Sequence, residues 1–200
     1  MSLMGIEIER KFLVPGAYPA GDKQQIIKQG YVDPSLCSVH ISDSSITISD
    51  QCNTEFFRLG AGSDSEDILK NIRHDDKNKI LIDDKNIVRI RVKDAYGYIT
   101  IKGLASILGT QEFEYGIHLV VANSLLDRCT KTYLDKIRHI VPFEGKTWEV
   151  DKFISPIKLV MAEVELLSPD EPITIPDWVG EEVTGNPKYF NSEIIKSVSH

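Results

Sequence analysis

Little in this sequence points outside the cell or into a membrane. Its 200 residues hold three cysteines, Cys37, Cys52 and Cys129, an odd number without metal-type spacing. A disulfide framework is therefore excluded, a reduced cytoplasmic setting is expected, and Cys37–Cys52 is the one bridge left open. No apolar run approaches the ~18 residues of a membrane span, and no secretory apolar segment precedes the first strand. Cations are scarce: 23 Lys and Arg against 30 Asp and Glu give a net charge of −7. That argues against a broad nucleic-acid-binding surface but leaves room for a local basic pocket. A GxxxxGK(S/T) phosphate loop is missing, because Gly103 and Gly109 have the wrong partners. The five histidines show no HxxxH or HExxH spacing, so His118 and His139 read as surface or strand residues.

What is present suits one domain, or one domain with a large insertion: 42% hydrophobic and 26% charged residues. Met1-Ser2-Leu3 reads as a cloning remnant, so the domain is expected over 4–200. Stretches 25–32, 86–93, 96–103, 110–117, 136–143, 146–153 and 159–167 alternate β-branched or aromatic residues with polar ones, and read as strands. Asp94–Gly97 and Glu144-Gly145 read as hairpin turns. A helix is predicted over 123–131, capped by Asn123 or Ser124, with Leu125, Leu126 and Cys129 on its apolar stripe. A second begins near Asn191 or Ser192 and carries Ile194, Ile195 and Val198. The class is α+β, mainly β: an antiparallel barrel or a pair of packed sheets with flanking helices. Residues 34–86, rich in Ser and Asp, break this rhythm and read as an insertion, with a hairpin over 38–49 and a short helix over 65–73.

One pattern rises above this background. Like charges stand two residues apart on strand after strand: Glu7/Glu9, Glu112/Glu114, Glu149/Asp151 and Glu163/Glu165 among acids, Arg89/Arg91 and Lys136/Arg138 among bases. Lys11 and Lys102 are single members. Each pair shares a face, and the residue between them is apolar. A solvated face would explain any one pair, but such faces gain from opposite charges across strands. At ~7 Å and an effective dielectric near 20, two carboxylates repel by roughly 2 kcal/mol, so a closed sheet carrying them needs answering cations. Divalent metals meet that need for the acids, and a polyanion meets it for the bases.

The spacing Glu7-x-Glu9-x-Lys11 resembles the ExExK signature of the CYTH superfamily, the triphosphate tunnel metalloenzymes. The resemblance continues in order through QGY (29–31), VRIR (88–91), TIKG (100–103), EFEY (112–115), KIR (136–138), WEVDKF (148–153), AEVEL (162–166) and PDWVGEEVTGNPKYFN (176–191). It implies an eight-stranded antiparallel β-barrel, or tunnel, with helices around it, interrupted only by 34–86. It further implies that Lys11, Arg89, Arg91, Lys102, Lys136 and Arg138 hold phosphates, as their donor geometry suits. Glu7, Glu9, Glu163 and Glu165 would bind Mg²⁺ or Mn²⁺, two ions during turnover. Glu112, Glu114, Glu149 and Asp151 form a second acidic set, acting through water or holding the basic residues in place. The opening EIERKF and the tail PDWVGEEVT resemble the bacterial triphosphatase branch, often labelled adenylate cyclase.

The resemblance therefore implies hydrolysis of inorganic triphosphate to pyrophosphate and phosphate by a monomer or homodimer. Two readings stay open beside it: an organic triphosphate substrate, including ATP cyclisation or a nucleoside or thiamine triphosphate, and a polyphosphate-binding module without activity. No nucleic acid or membrane partner is expected.

Overall fold

Alternation of β-branched residues with charges builds the main ladder of unit 1, one of two compact units in this computed structural model. The structure describes residues 3–42, 44–60, 70, 72–83, 87–106 and 109–198. Unit 1 comprises Met1–Ile6 and Gly30–Lys131, and unit 2 comprises Glu7–Gln29 and Thr132–His200.

In unit 1, β7 (Ile87–Lys93) and β8 (Tyr96–Ser106) bury Val88, Ile90, Ile99 and Ile101 on one face. Arg89, Arg91, Thr100 and Lys102 alternate with them and take the other face. The hairpin turns at Asp94-Ala95, and Asp94 adopts a positive φ of 54°, as tight hairpin turns require. β9 (Gly109–Ile117) pairs antiparallel with β8, and β1 (Leu3–Glu7) lies beside β9. Helix α1 (Leu119–Cys129) covers the apolar face of β7 and β8, burying Ala122, Leu125, Leu126 and Cys129. It begins four residues earlier than the sequence predicts. His118 is the N-cap, its ring accepting from the Val120 N–H, while Asn123 sits inside the helix and donates to the Leu119 carbonyl.

Close approach of that helix depends on Gly97. A Cβ there would lie 2.6 Å from the Ala122 Cβ and 2.9 Å from the Ile117 carbonyl oxygen. Gly97→Ala is expected to cost about 1–3 kcal/mol by overpacking, read as a lower urea midpoint. Gly116→Ala, where a Cβ meets nothing within 4 Å, is expected to leave the midpoint unchanged.

Within the stretch read as an insertion, β4 (Cys37–Ser42), β5 (Ser45–Asp50) and β6 (Glu55–Gly60) form a three-stranded sheet of their own. The expected hairpin is there, with Ser42 opposite Ser45; β6 was not expected. The helix read over 65–73 falls mainly outside the described residues. Cys37 does not face Cys52. It is buried with its Sγ 2.9 Å from that of Cys129, Cys52 is exposed, and all three thiols are free.

Unit 2 carries the order β3-β10-β11-β12-β2, with β3 at Lys23–Tyr31, β10 at Tyr133–Phe143, β11 at Lys146–Ser155, β12 at Val160–Glu165 and β2 at Glu9–Leu13. Glu144 and Gly145, with φ of 47° and 76°, make the two-residue turn between β10 and β11. Phe12, Val14, Val141, Trp148, Val150, Ala162 and Val164 pack together on one side, with Tyr18 and Trp178 against them. Trp148 and Trp178 meet edge to face at 5.7 Å, an apolar anchor of this cluster. The 180–183 stretch runs along the outer edge of β2, exchanging backbone hydrogen bonds with Lys11 and Leu13. A bare strand edge is thereby covered. Helix α2 (Asn191–Val198) buries Ile194 and Ile195.

The first charged stretch is not one strand. It breaks at Ile8, whose carbonyl accepts from Leu166, so β1 and β2 join different neighbours. Among the described residues, the ladder within each unit is open, and no helix is long and apolar enough to cross a membrane.

Candidate active site

Strand alternation gathers the charges of each unit on the face opposite its apolar packing. In unit 2 the centre is Asp151, fully buried on β11. Arg138 Nε and Nη2 donate to its two oxygens, each at 2.7 Å, and Lys136 Nζ lies 2.5 Å from Oδ2. Burial alone would raise the Asp151 carboxyl, but Lys136 and Arg138 outweigh it and hold the group below its ordinary value. Burial also dominates at Lys136 and pulls its ammonium down despite Asp151. Glu163 bridges outward: Lys11 Nζ lies 2.6 Å from Oε1 and Arg138 Nη2 3.1 Å from Oε2. Lys11 also pairs with Glu9 at 2.7 Å, and Arg138 with Glu149. Against the penalty of burial, Lys11 and Arg138 depress Glu163 well below the carboxylate range, and Glu163 and Glu9 raise Lys11.

Unit 1 repeats the arrangement. Arg91 Nη2 lies 2.6 Å from Glu114 Oε2, Arg89 Nη2 lies 3.4 Å from the same oxygen and 3.6 Å from Glu112, and Lys102 pairs with Glu112. Thr100, which sequence reasoning passed over, donates to Glu114 Oε2 at 3.0 Å. Among the described residues, Arg89, Arg91 and Lys102 here pair with Glu112 and Glu114, and in unit 2 Lys11, Lys136 and Arg138 pair with Glu9, Glu149, Asp151 and Glu163.

Of the sequence-expected residues, all six basic ones and Glu9, Glu112, Glu114, Glu149, Asp151 and Glu163 enter these ion-pair networks. Glu165 is exposed and stands opposite Glu9 in the strand register. The Glu7 side chain lies outside the described residues. Arg10, by contrast, faces away from Lys11 and pairs with Glu182 at 2.6 Å.

Two acidic pairs, Glu9–Glu165 and Glu149–Glu163, are direct cross-strand partners. Like charges so placed repel, and hard carboxylate oxygens are the donors that Mg²⁺ or Mn²⁺ prefers. The donor set therefore fits a divalent cation. Among the described residues, no three Asp, Glu, His or Cys side chains converge on one point as a ready cation site; Mg²⁺ commonly uses only one or two carboxylates with substrate oxygens and water.

Antiparallel strands that are apolar on one side and carry paired cations and carboxylates on the other suit a protein that handles polyanions together with cations. No family model matches the sequence. It is 34% identical over 97% of its length to an inorganic triphosphatase from Acetivibrio thermocellus, covering 96% of that protein. An inorganic triphosphatase from Nitrosomonas europaea is 31% identical over 56% of this chain and 76% of its own length. The fold is similar to the crystal structure of the inorganic triphosphatase NE1496, with a TM-score of 0.54 at 24% identity over 94% of this chain and 93% of that one. The chain belongs to the CYTH family of triphosphate tunnel metalloenzymes.

Proposed function

We propose that this protein hydrolyses inorganic triphosphate to pyrophosphate and phosphate in a metal-dependent reaction. The observation that carries the reading is 34% identity to an inorganic triphosphatase over nearly the whole of both chains. Lys11, Arg89, Arg91, Lys102, Lys136 and Arg138 bind the phosphate oxygens, the arginines as planar forks and the lysines as point charges. Glu7, Glu9, Glu163 and Glu165 hold Mg²⁺ or Mn²⁺, two ions during turnover. Bound there, the cations neutralise phosphate charge and lower the pKa of an attacking water.

Glu112, Glu114, Glu149 and Asp151 hold the phosphate-binding cations in place. Pairing with carboxylates keeps those cations charged in a partly buried setting and leaves them oriented before substrate arrives. No side-chain nucleophile is needed, because phosphoryl transfer is served by positioning and charge stabilisation. The closed eight-stranded tunnel is part of this proposal, as is a single domain over 4–200 with the 34–86 insertion outside the phosphate-holding strands. So are a cytoplasmic setting and a monomer or homodimer.

The test is product analysis. With Mg²⁺ or Mn²⁺, each tripolyphosphate consumed is expected to yield one pyrophosphate and one phosphate. EDTA is expected to reduce turnover to background, and added cation to restore it. Undiminished turnover in EDTA would defeat the metal-dependent reading.

A further inference from the structure

Thr100 stands in the middle of the unit 1 charge network. The registers of β7, β8 and β9 set Arg89 opposite Thr100 and Thr100 opposite Glu114, so the three form one row across the sheet. The Thr100 side chain is fully buried. Its Oγ1 lies 3.0 Å from Glu114 Oε2 and 3.2 Å from Arg89 Nη2. Chemistry fixes the direction of both bonds. A guanidinium has no acceptor and an ionised carboxylate has no donor, so the hydroxyl must give its proton to Glu114 and accept from Arg89.

That single hydroxyl determines what its neighbours can do. Glu114 Oε2 receives Thr100, Arg91 and Arg89 together, which saturates the oxygen and fixes the carboxylate. Arg89 is held at Nη2, and its Nε is a buried donor without a hydrogen-bond partner among the described residues. A buried N–H without an acceptor costs free energy, and a ligand oxygen would recover it.

We propose that Thr100 is a positioning residue of the triphosphate site: its hydroxyl fixes Arg89 and Glu114 so that the free Nε of Arg89 faces a phosphate oxygen. This rests on the reading of Arg89 and Arg91 as phosphate-binding residues. The function of the row is orientation, so its loss weakens substrate binding more than the bond-breaking step.

The experiment compares Thr100→Val, which keeps shape and burial but lacks the hydroxyl, with Thr100→Ser, which restores it, and with Arg89→Ala. Steady-state hydrolysis of tripolyphosphate is measured on folded protein. Thr100→Val is expected to raise KM about 10-fold with a smaller change in kcat, while Thr100→Ser stays within about twofold of the starting protein. In an Arg89→Ala background, Thr100→Val is expected to add little. If Thr100→Val does not fold, Thr100→Ala must show the same rise in KM. An unchanged KM in the valine or alanine variant, with Arg89→Ala still impaired, would overturn the proposal and leave the site reading standing. An Arg89→Ala enzyme with unchanged KM would remove the reading beneath it. Equal losses in Thr100→Val and Thr100→Ser would also overturn it, by making the residue merely structural.

Discussion

Asp151→Asn is expected to lower stability at neutral pH by about 3–5 kcal/mol, the cost of breaking a buried ion pair from one side. The carboxylate is fully buried, and it answers both Lys136 and Arg138. Asparagine fits the space and offers one acceptor, but it takes the anion from Lys136 and leaves Arg138 with Glu149 and Glu163 alone. For a chain of this size the loss corresponds to a melting temperature lower by about 6–20 °C.

Its pH dependence has a definite sign. Burial opposes the charge of Asp151, yet Lys136 and Arg138 hold its pKa below the ordinary value near 3.8. The unfolded chain therefore binds a proton more readily than the folded one in acid. The stabilisation is complete above the ordinary aspartate range and is lost as pH falls through the depressed folded value. The gap between the parent protein and Asp151→Asn is thus expected to be widest near neutrality and to narrow below about pH 5. Urea melts at a series of pH values measure it directly, and a gap independent of pH would contradict the assignment.

The second large effect separates two neighbours in β2. Lys11→Met is expected to reduce kcat/KM for tripolyphosphate about 10- to 100-fold, or about 1.4–2.7 kcal/mol, the worth of one charge-assisted contact. Arg10→Ala is expected to stay close to the parent. Lys11 lies on the charged face between Glu9 and Glu163, whereas Arg10 points to the other side, pairs with the part-exposed Glu182 and lies over the Phe12 ring. A part-exposed pair of that kind contributes little to stability. Equal losses in the two variants would mean that strand alternation does not sort the site.

Strand alternation made much of this legible. Because side chains on a strand alternate with period two, Glu149/Asp151 and Arg89/Arg91 could be assigned to one face from spacing alone, with Val150 and Ile90 on the other. What spacing could not supply was partner identity. That Asp151 answers Lys136 and Arg138, and that Thr100 stands between Arg89 and Glu114, depends on the registers of neighbouring strands. Thr100 carried no charge to draw attention, although it lies two residues before Lys102 and so shares its face.

The N-terminus of α1 was misplaced for a local reason. Leu119-Val120-Val121 looks like strand, and a histidine is an uncommon cap, whereas Asn123 and Ser124 are favoured cap types. The break at Ile8 was invisible because both halves of EIERKFLV keep the same alternation. Only the change of neighbour, β9 for β1 and β12 for β2, divides them. β6 was hidden because EFFRLG has little alternation and runs into a Ser- and Asp-rich stretch.

The most direct measurement of the central claim is substrate competition on the purified protein. Phosphate release is followed from tripolyphosphate, ATP and thiamine triphosphate with Mg²⁺ or Mn²⁺, and cyclic AMP is assayed in the ATP reaction. Tripolyphosphate is expected to have the highest kcat/KM and ATP to give no cyclic AMP. Metal-dependent conversion of ATP to cyclic AMP, with tripolyphosphate inert, would contradict the account.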